Sequence, residues 1–140
     1  MARPADARRS FGRALELDPL SFIITANLGD QLLYEGSYSR ALARYEQAFE
    51  VNPEGHNLYR AHYALALLYA GQETKALAEV DALTGWLGVD KVWSYVVVGC
   101  VLAMAQRATE ARTMAARLEA RVRNRYVSPA NRAHLQVCTL

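Results

Sequence analysis

The stretch FIITANLGDQLLYEGSYSRALARYEQAFEVNPEG, residues 22–55, decides how the rest of the chain is read. Two amphipathic helices fit it, one over about 21–34 and one over about 38–51, with Glu35, Gly36 and Ser37 between them as the turn. Leu28, Gly29 and Leu32 share one face of the first, and Ala41, Tyr45 and Ala48 share one face of the second. Small residues at Gly29 and Ala41 predict a close approach of the two backbones.

Stepping outward, the same text returns at a fixed interval. Ala7, Phe11, Ala14 and Pro19 precede Ala41, Tyr45, Ala48 and Pro53 by 34 residues each, and ALELDP at 14–19 stands beside AFEVNP at 48–53. Towards the C-terminus the interval becomes 35: Gly29, Ala64 and Gly99; Leu32, Leu67 and Leu102; Gly36, Gly71 and Gln106; Ala41, Ala76 and Ala111. An internal period of this length marks stacked supersecondary units that bury their apolar faces only against each other.

The stretch resembles one tetratricopeptide repeat, with the W-x2-L-G-x2-Y, A-x3-F, P pattern standing as Thr25, Leu28, Gly29, Leu32, then Ala41 and Tyr45, then Pro53. Thr25 replaces the pattern's Trp, and Leu32 its Tyr. The resemblance implies an all-α, right-handed α-solenoid of about eight helices, forming one domain over 1–140. Its expected parts are a leading second helix at 5–19, repeats at 20–55, 56–90 and 91–125, and a lone terminal helix at 126–140. Expected helices span about 5–17, 21–34, 38–51, 57–70, 74–84, 91–105, 109–124 and 129–139. Ser21, Asn57, Asp90, Thr109 and Ser128 are expected N-caps, and Gly36 and Gly71 the left-handed residues that close a helix. Gly88 stands where Pro53 would map, which predicts a looser turn after the second repeat.

Composition narrows the function. At 52% hydrophobic and 21% charged, the chain is globular rather than disordered, and a net charge of +2 gives no footprint for nucleic acid. Seven of its Arg lie between 107 and 132 against Glu110 and Glu119, which reads as a solvated helix face. The run 92–105 is too short to cross a bilayer, and MARPADARRS at 1–10 has no apolar leader core, so a cytoplasmic location and no membrane partner are expected. Cys100 and Cys138 read as buried free thiols, although both project to the inner side of adjacent units. His56, His62 and His134 are scattered without zinc spacing. Glycines 12, 29 and 36 form no phosphate loop, and no nucleophile has a base and orienter beside it. The expectation is therefore no enzyme, no cofactor and no metal.

In the repeat family the first helix of each unit lines a concave groove. By that likeness the groove takes Ile23, Ala26, Asn27, Asp30, Leu33 and Tyr34 from the first repeat, and Leu58, Ala61, His62, Leu65, Leu68 and Tyr69 from the second. Trp93, Val96, Val97, Cys100, Ala103 and Met104 come from the third. The family's carboxylate clamp would need charge at Ala61, Val96 and Val97, and only Asn27 matches it. The expected site is therefore Asn27, Asp30, Tyr34, His62, Leu65, Tyr69, Trp93, Val97 and Met104, holding an apolar helix or peptide segment of another protein.

Two alternatives stand beside this. Leu135, Val137 and Leu140 belong to a last helix with nothing after it. Leaving three such side chains wet forgoes roughly 4–9 kcal/mol, so a homodimer through this end is expected in a self-associating scaffold. The 35-residue step also equals that of the pentatricopeptide repeats, which bind single-stranded RNA. Against RNA stand Leu28-Gly29, the Asp-Pro and Asn-Pro unit ends, and a groove without basic residues.

Overall fold

A computed structural model describes residues 4–55, 57–84, 92–123 and 126–139. Among them are eight helices and no strand: α1 (Pro4–Leu17), α2 (Phe22–Tyr34), α3 (Tyr38–Val51), α4 (Asn57–Tyr69), α5 (Glu73–Thr84), α6 (Val92–Met104), α7 (Ala108–Val122) and α8 (Pro129–Thr139). Each start and end falls within two residues of its expected position. His56, the turn at Gly88 and the cap at Asp90 lie outside the described residues.

The chain period is written into the backbone hydrogen bonds. At the end of α2, the Gly36 amide donates to the Leu33 carbonyl (3.0 Å) and the Ser37 amide to that of Leu32 (2.8 Å). The pair Gly71→Leu68 and Gln72→Leu67 repeats this after α4, and Gln106→Ala103 and Arg107→Leu102 repeat it after α6. Each is a Schellman closure, which needs a left-handed residue; φ is +78° at Gly36, +75° at Gly71 and +62° at Gln106. The carbonyls of Ser37, Gln72 and Arg107 then accept from the amides of Ala41, Ala76 and Ala111, starting α3, α5 and α7. One turn is used three times.

Each turn folds a pair of helices into a hairpin, α2 on α3, α4 on α5 and α6 on α7. Successive hairpins meet along their first helices, α2 against α4 and α4 against α6, and also where each second helix meets the next first helix, α3 against α4 and α5 against α6. At the ends, α1 packs on α2 and α8 on α6 and α7. Leu32, Leu67 and Leu102 are buried, as are Ala41, Ala76 and Ala111. The close approach at Gly29 serves a ring rather than a backbone: a Cβ there would sit 2.8 Å from Cε1 of the buried Tyr45. Helix α6 touches α4, α5, α7 and α8, and all nine residues from Ser94 to Leu102 are buried. Apolarity on every side suits a helix with neighbours on every side.

Capping differs from expectation in places. Ser21 flanks α2 without a side-chain bond to the backbone. Thr109 lies inside α7, whose cap position is Arg107, so it does not cap. Ser128 does: its Oγ accepts from the Asn131 amide at 3.2 Å.

Candidate protein-binding face

Tyr34, Tyr69 and Met104 are the last residues of α2, α4 and α6, one period apart, and each stands directly before a Schellman turn. They keep 66%, 45% and 42% of their surface in solvent. Burying such side chains normally gains about 1.5–3 kcal/mol apiece, so three equivalent exposures in adjacent units form an apolar row with unused adhesion. The rings are held in place. Tyr69 stacks on Tyr38 with centroids 5.0 Å apart, and Tyr34 meets the His62 ring edge-on at 5.9 Å. Ile23 adds an exposed apolar side chain at the start of α2.

Behind the row runs a polar network that joins three units. His62 is 3% exposed. Its Nδ1 lies 2.8 Å from Asp30 Oδ1, and its Nε2 receives the Trp93 indole N–H at 3.0 Å. An indole N–H can only donate. Nε2 therefore presents its lone pair, and the imidazole proton sits on Nδ1, donated to Asp30. The Tyr45 hydroxyl donates to the same Asp30 oxygen at 2.6 Å. Burial, then the Asp30 charge, raises the Tyr45 hydroxyl far above its ordinary ionisation range. Tyr34 Oη lies 3.4 Å from Nε2. Beside this set, the Tyr59 hydroxyl donates to Asn27 Oδ1 at 2.9 Å.

An Asp–His pair invites a catalytic reading, in which the imidazole would serve as a base. Here Nε2, the nitrogen that would face a nucleophile, is filled by Trp93. The pair fastens α2 to α4, and the Trp93 bond to the same imidazole fastens α4 to α6.

The expected site residues divide accordingly. Tyr34, Tyr69 and Met104 are exposed, while Asn27, Asp30, Leu65 and Trp93 are half-buried. His62 and Val97, expected to line a groove, are buried instead, along with Ala26, Leu33, Ala61, Val96 and Cys100. The helical period places them on the first-helix face, but the neighbouring unit covers that part of it. Leu17 and Leu20, exposed at the α1–α2 connection, were not expected as part of any site.

The C-terminal expectations change most. Leu135 is 1% exposed, so it is no open end awaiting a second copy. It is seated in the notch at Gly99, where an added Cβ would lie 2.4 Å from its Cδ1. The helix closes back on α6 and needs no following helix for this side chain. Leu140 and the Val137 side chain lie outside the described residues. Cys100 and Cys138 are not free thiols; they form a disulfide, with Cα atoms 5.0 Å apart. Arg132 adds a two-pronged pair to Glu119, its Nε and Nη2 donating at 3.2 and 3.1 Å. Arg107 pairs with Asp81 and Glu110, and Arg121 lies over the Tyr95 ring. The arginine-rich segment thus spends several of its charges locally.

No family model, curated protein or solved structure matches the chain. Among the described residues, no helix is long and apolar enough to cross a membrane.

Proposed function

We propose that the chain is a non-catalytic protein-binding module of tetratricopeptide type, wound as a right-handed solenoid and working in the cytoplasm. Its partner is an apolar helix or extended segment laid across the ends of α2, α4 and α6. The observation that carries this reading is the exposed row Tyr34, Tyr69 and Met104, one per unit and in register. Aromatic anchors of limited rotamer freedom are what hold most interface energy. The turn geometry supports the repeat reading, because the same left-handed closure occurs at each 35-residue step. The filled Nε2 of His62 supports the absence of catalysis. The self-associating alternative loses its main argument once Leu135 is covered within the chain.

Selection from a displayed random-peptide library tests it. Selected binders should be rich in apolar and aromatic residues and lose roughly thirtyfold in affinity or more on Tyr69→Ala, as hot-spot truncations do. Their binding should change little with added salt. Binders indifferent to Tyr34→Ala, Tyr69→Ala and Met104→Ala would overturn the reading. So would tight binding of single-stranded RNA that collapses with salt.

A further inference from the structure

The disulfide between α6 and α8 has a third chemical group beside it. One ring nitrogen of His134 and the sulfurs of Cys100 and Cys138 all lie within 4.8 Å of one another. His134 and Cys138 are four residues apart on α8, hence on one face of it, and Cys100 comes from α6. A disulfide needs only the two sulfurs, and the imidazole beside them adds a third ligand-type atom from the outer side. We propose that the reduced pair Cys100 and Cys138, with His134, forms a three-ligand site for a borderline-soft divalent cation, zinc first among them.

The surroundings suit that cation better than they suit the bare thiolates. Val96, Leu118, Val127 and Leu135 wall the site on the inner side, and two uncompensated negative charges against such a wall would be expensive. Two thiolates, a neutral imidazole and one dication sum to zero. Thiolate and imidazole together select zinc or copper(I) over magnesium or calcium. His134 is on the outer, exposed side and meets the Trp93 ring edge-on at 5.6 Å, which restricts its orientation. Three protein ligands leave one tetrahedral position for water or another solvent ligand. Disulfide and metal exclude one another, since only thiolates bind. Reduction by a dithiol moves two electrons and two protons to the sulfurs, giving two thiols and the reductant's own disulfide; the cation then displaces one proton from each thiol. Either way α8 stays fastened to α6.

The full chain, reduced anaerobically with a water-soluble phosphine, is titrated with cobalt(II). The phosphine becomes its oxide, with water supplying the oxygen and the two thiol hydrogens. A thiolate-to-cobalt charge-transfer band should grow to saturation at one equivalent and vanish on adding zinc(II). Because even outer-shell partners are worth about 10–100-fold in affinity, His134→Ala should weaken binding by at least about tenfold. Cys138→Ser should remove the band. His134 is exposed, so its truncation leaves the core intact and keeps the test valid even where Cys138→Ser folds poorly. No charge-transfer band in the reduced wild type would overturn the proposal, as would a His134→Ala titration identical to it, which would mean adventitious binding by two thiols.

Discussion

Two seams of this molecule do the same job by different chemistry. Where α2 meets α4, and α4 meets α6, directional bonds join the units: His62 to Asp30 and Trp93 to His62, with Tyr45 of α3 donating to the same Asp30 from within its own hairpin. Where α6 meets α8, they are joined by volume and a covalent link, Leu135 in the Gly99 notch and Cys138 on Cys100. The first seam fixes geometry, because each donor has one acceptor and one angle. The second fixes separation, because a disulfide spans only a narrow range of Cα distances and a leucine in a closed notch has nowhere to go. A face meant to hold a partner in register belongs beside the first kind, and Tyr34 touches that network directly.

The largest test of this contrast is Leu135→Ala. Emptying a buried leucine site costs about 2–5 kcal/mol, and denaturant unfolding of the oxidised protein should show a loss of that size; no loss would mean the notch does not hold α8. Next comes a pair of glycines. Gly29→Ala forces a Cβ against the Tyr45 ring, which its bond to Asp30 prevents from moving aside. Overpacking of this kind costs about 1–3 kcal/mol. Gly99→Ala meets the far end of a flexible leucine, so its loss should be smaller. Equal losses from the two in the same unfolding experiment would mean that a ring pinned by a hydrogen bond yields as readily as a free leucine end.

Alkali should act through the tyrosines whose hydroxyls donate to carboxylates. The Tyr45 hydroxyl is held above its ordinary value of 10.0 by burial and the Asp30 charge. From pH 10 upward the unfolded chain therefore loses this proton first. Stability falls with rising pH, by about 1.4 kcal/mol per pH unit from this group. Tyr63, pushed up to about 12 by burial and Glu46, adds to the slope until it too ionises. Unfolding measured from pH 9 to 11 should fall less steeply in Tyr45→Phe; an unchanged slope would show that Tyr45 is not the group responsible. The smallest effect concerns the turns. Gln106 occupies the left-handed region at φ +62°, where a Cβ costs about 1–2 kcal/mol. Gln106→Gly should raise the unfolding free energy by about 1 kcal/mol, and a loss instead would mean the glutamine side chain contributes there.

The helices and their pairing were legible because they rest on period. Small residues at 29, 64 and 99, leucines at 32, 67 and 102, and turn residues at 36, 71 and 106 each recur by number alone, and the backbone obeys them. The exposed row was legible for the same reason. What period cannot supply is which polar side chain reaches which. Asp30 and His62 are 32 residues apart, and their bond depends on two rotamers and on Trp93 arriving from a third unit. His62 was accordingly placed on the face rather than beneath it. Period also says nothing of Leu135, because an end helix can turn back as well as point onward, and Gly99 offers the side chain a seat behind. The cysteines were placed on adjoining inner faces, but spacing says nothing about whether two neighbouring sulfurs are joined.

Helix α6 has a consequence for how the molecule opens. Its nine buried residues from Ser94 to Leu102 are shared among α4, α5, α7 and α8, so no single hairpin can peel off and leave it dry. Deuterium should reach its central amides only through global unfolding, while α1, which among the described elements packs on α2 alone, exchanges by fraying. Cooperativity in this chain radiates from its least polar segment, and the slowest clock in an exchange experiment should sit there.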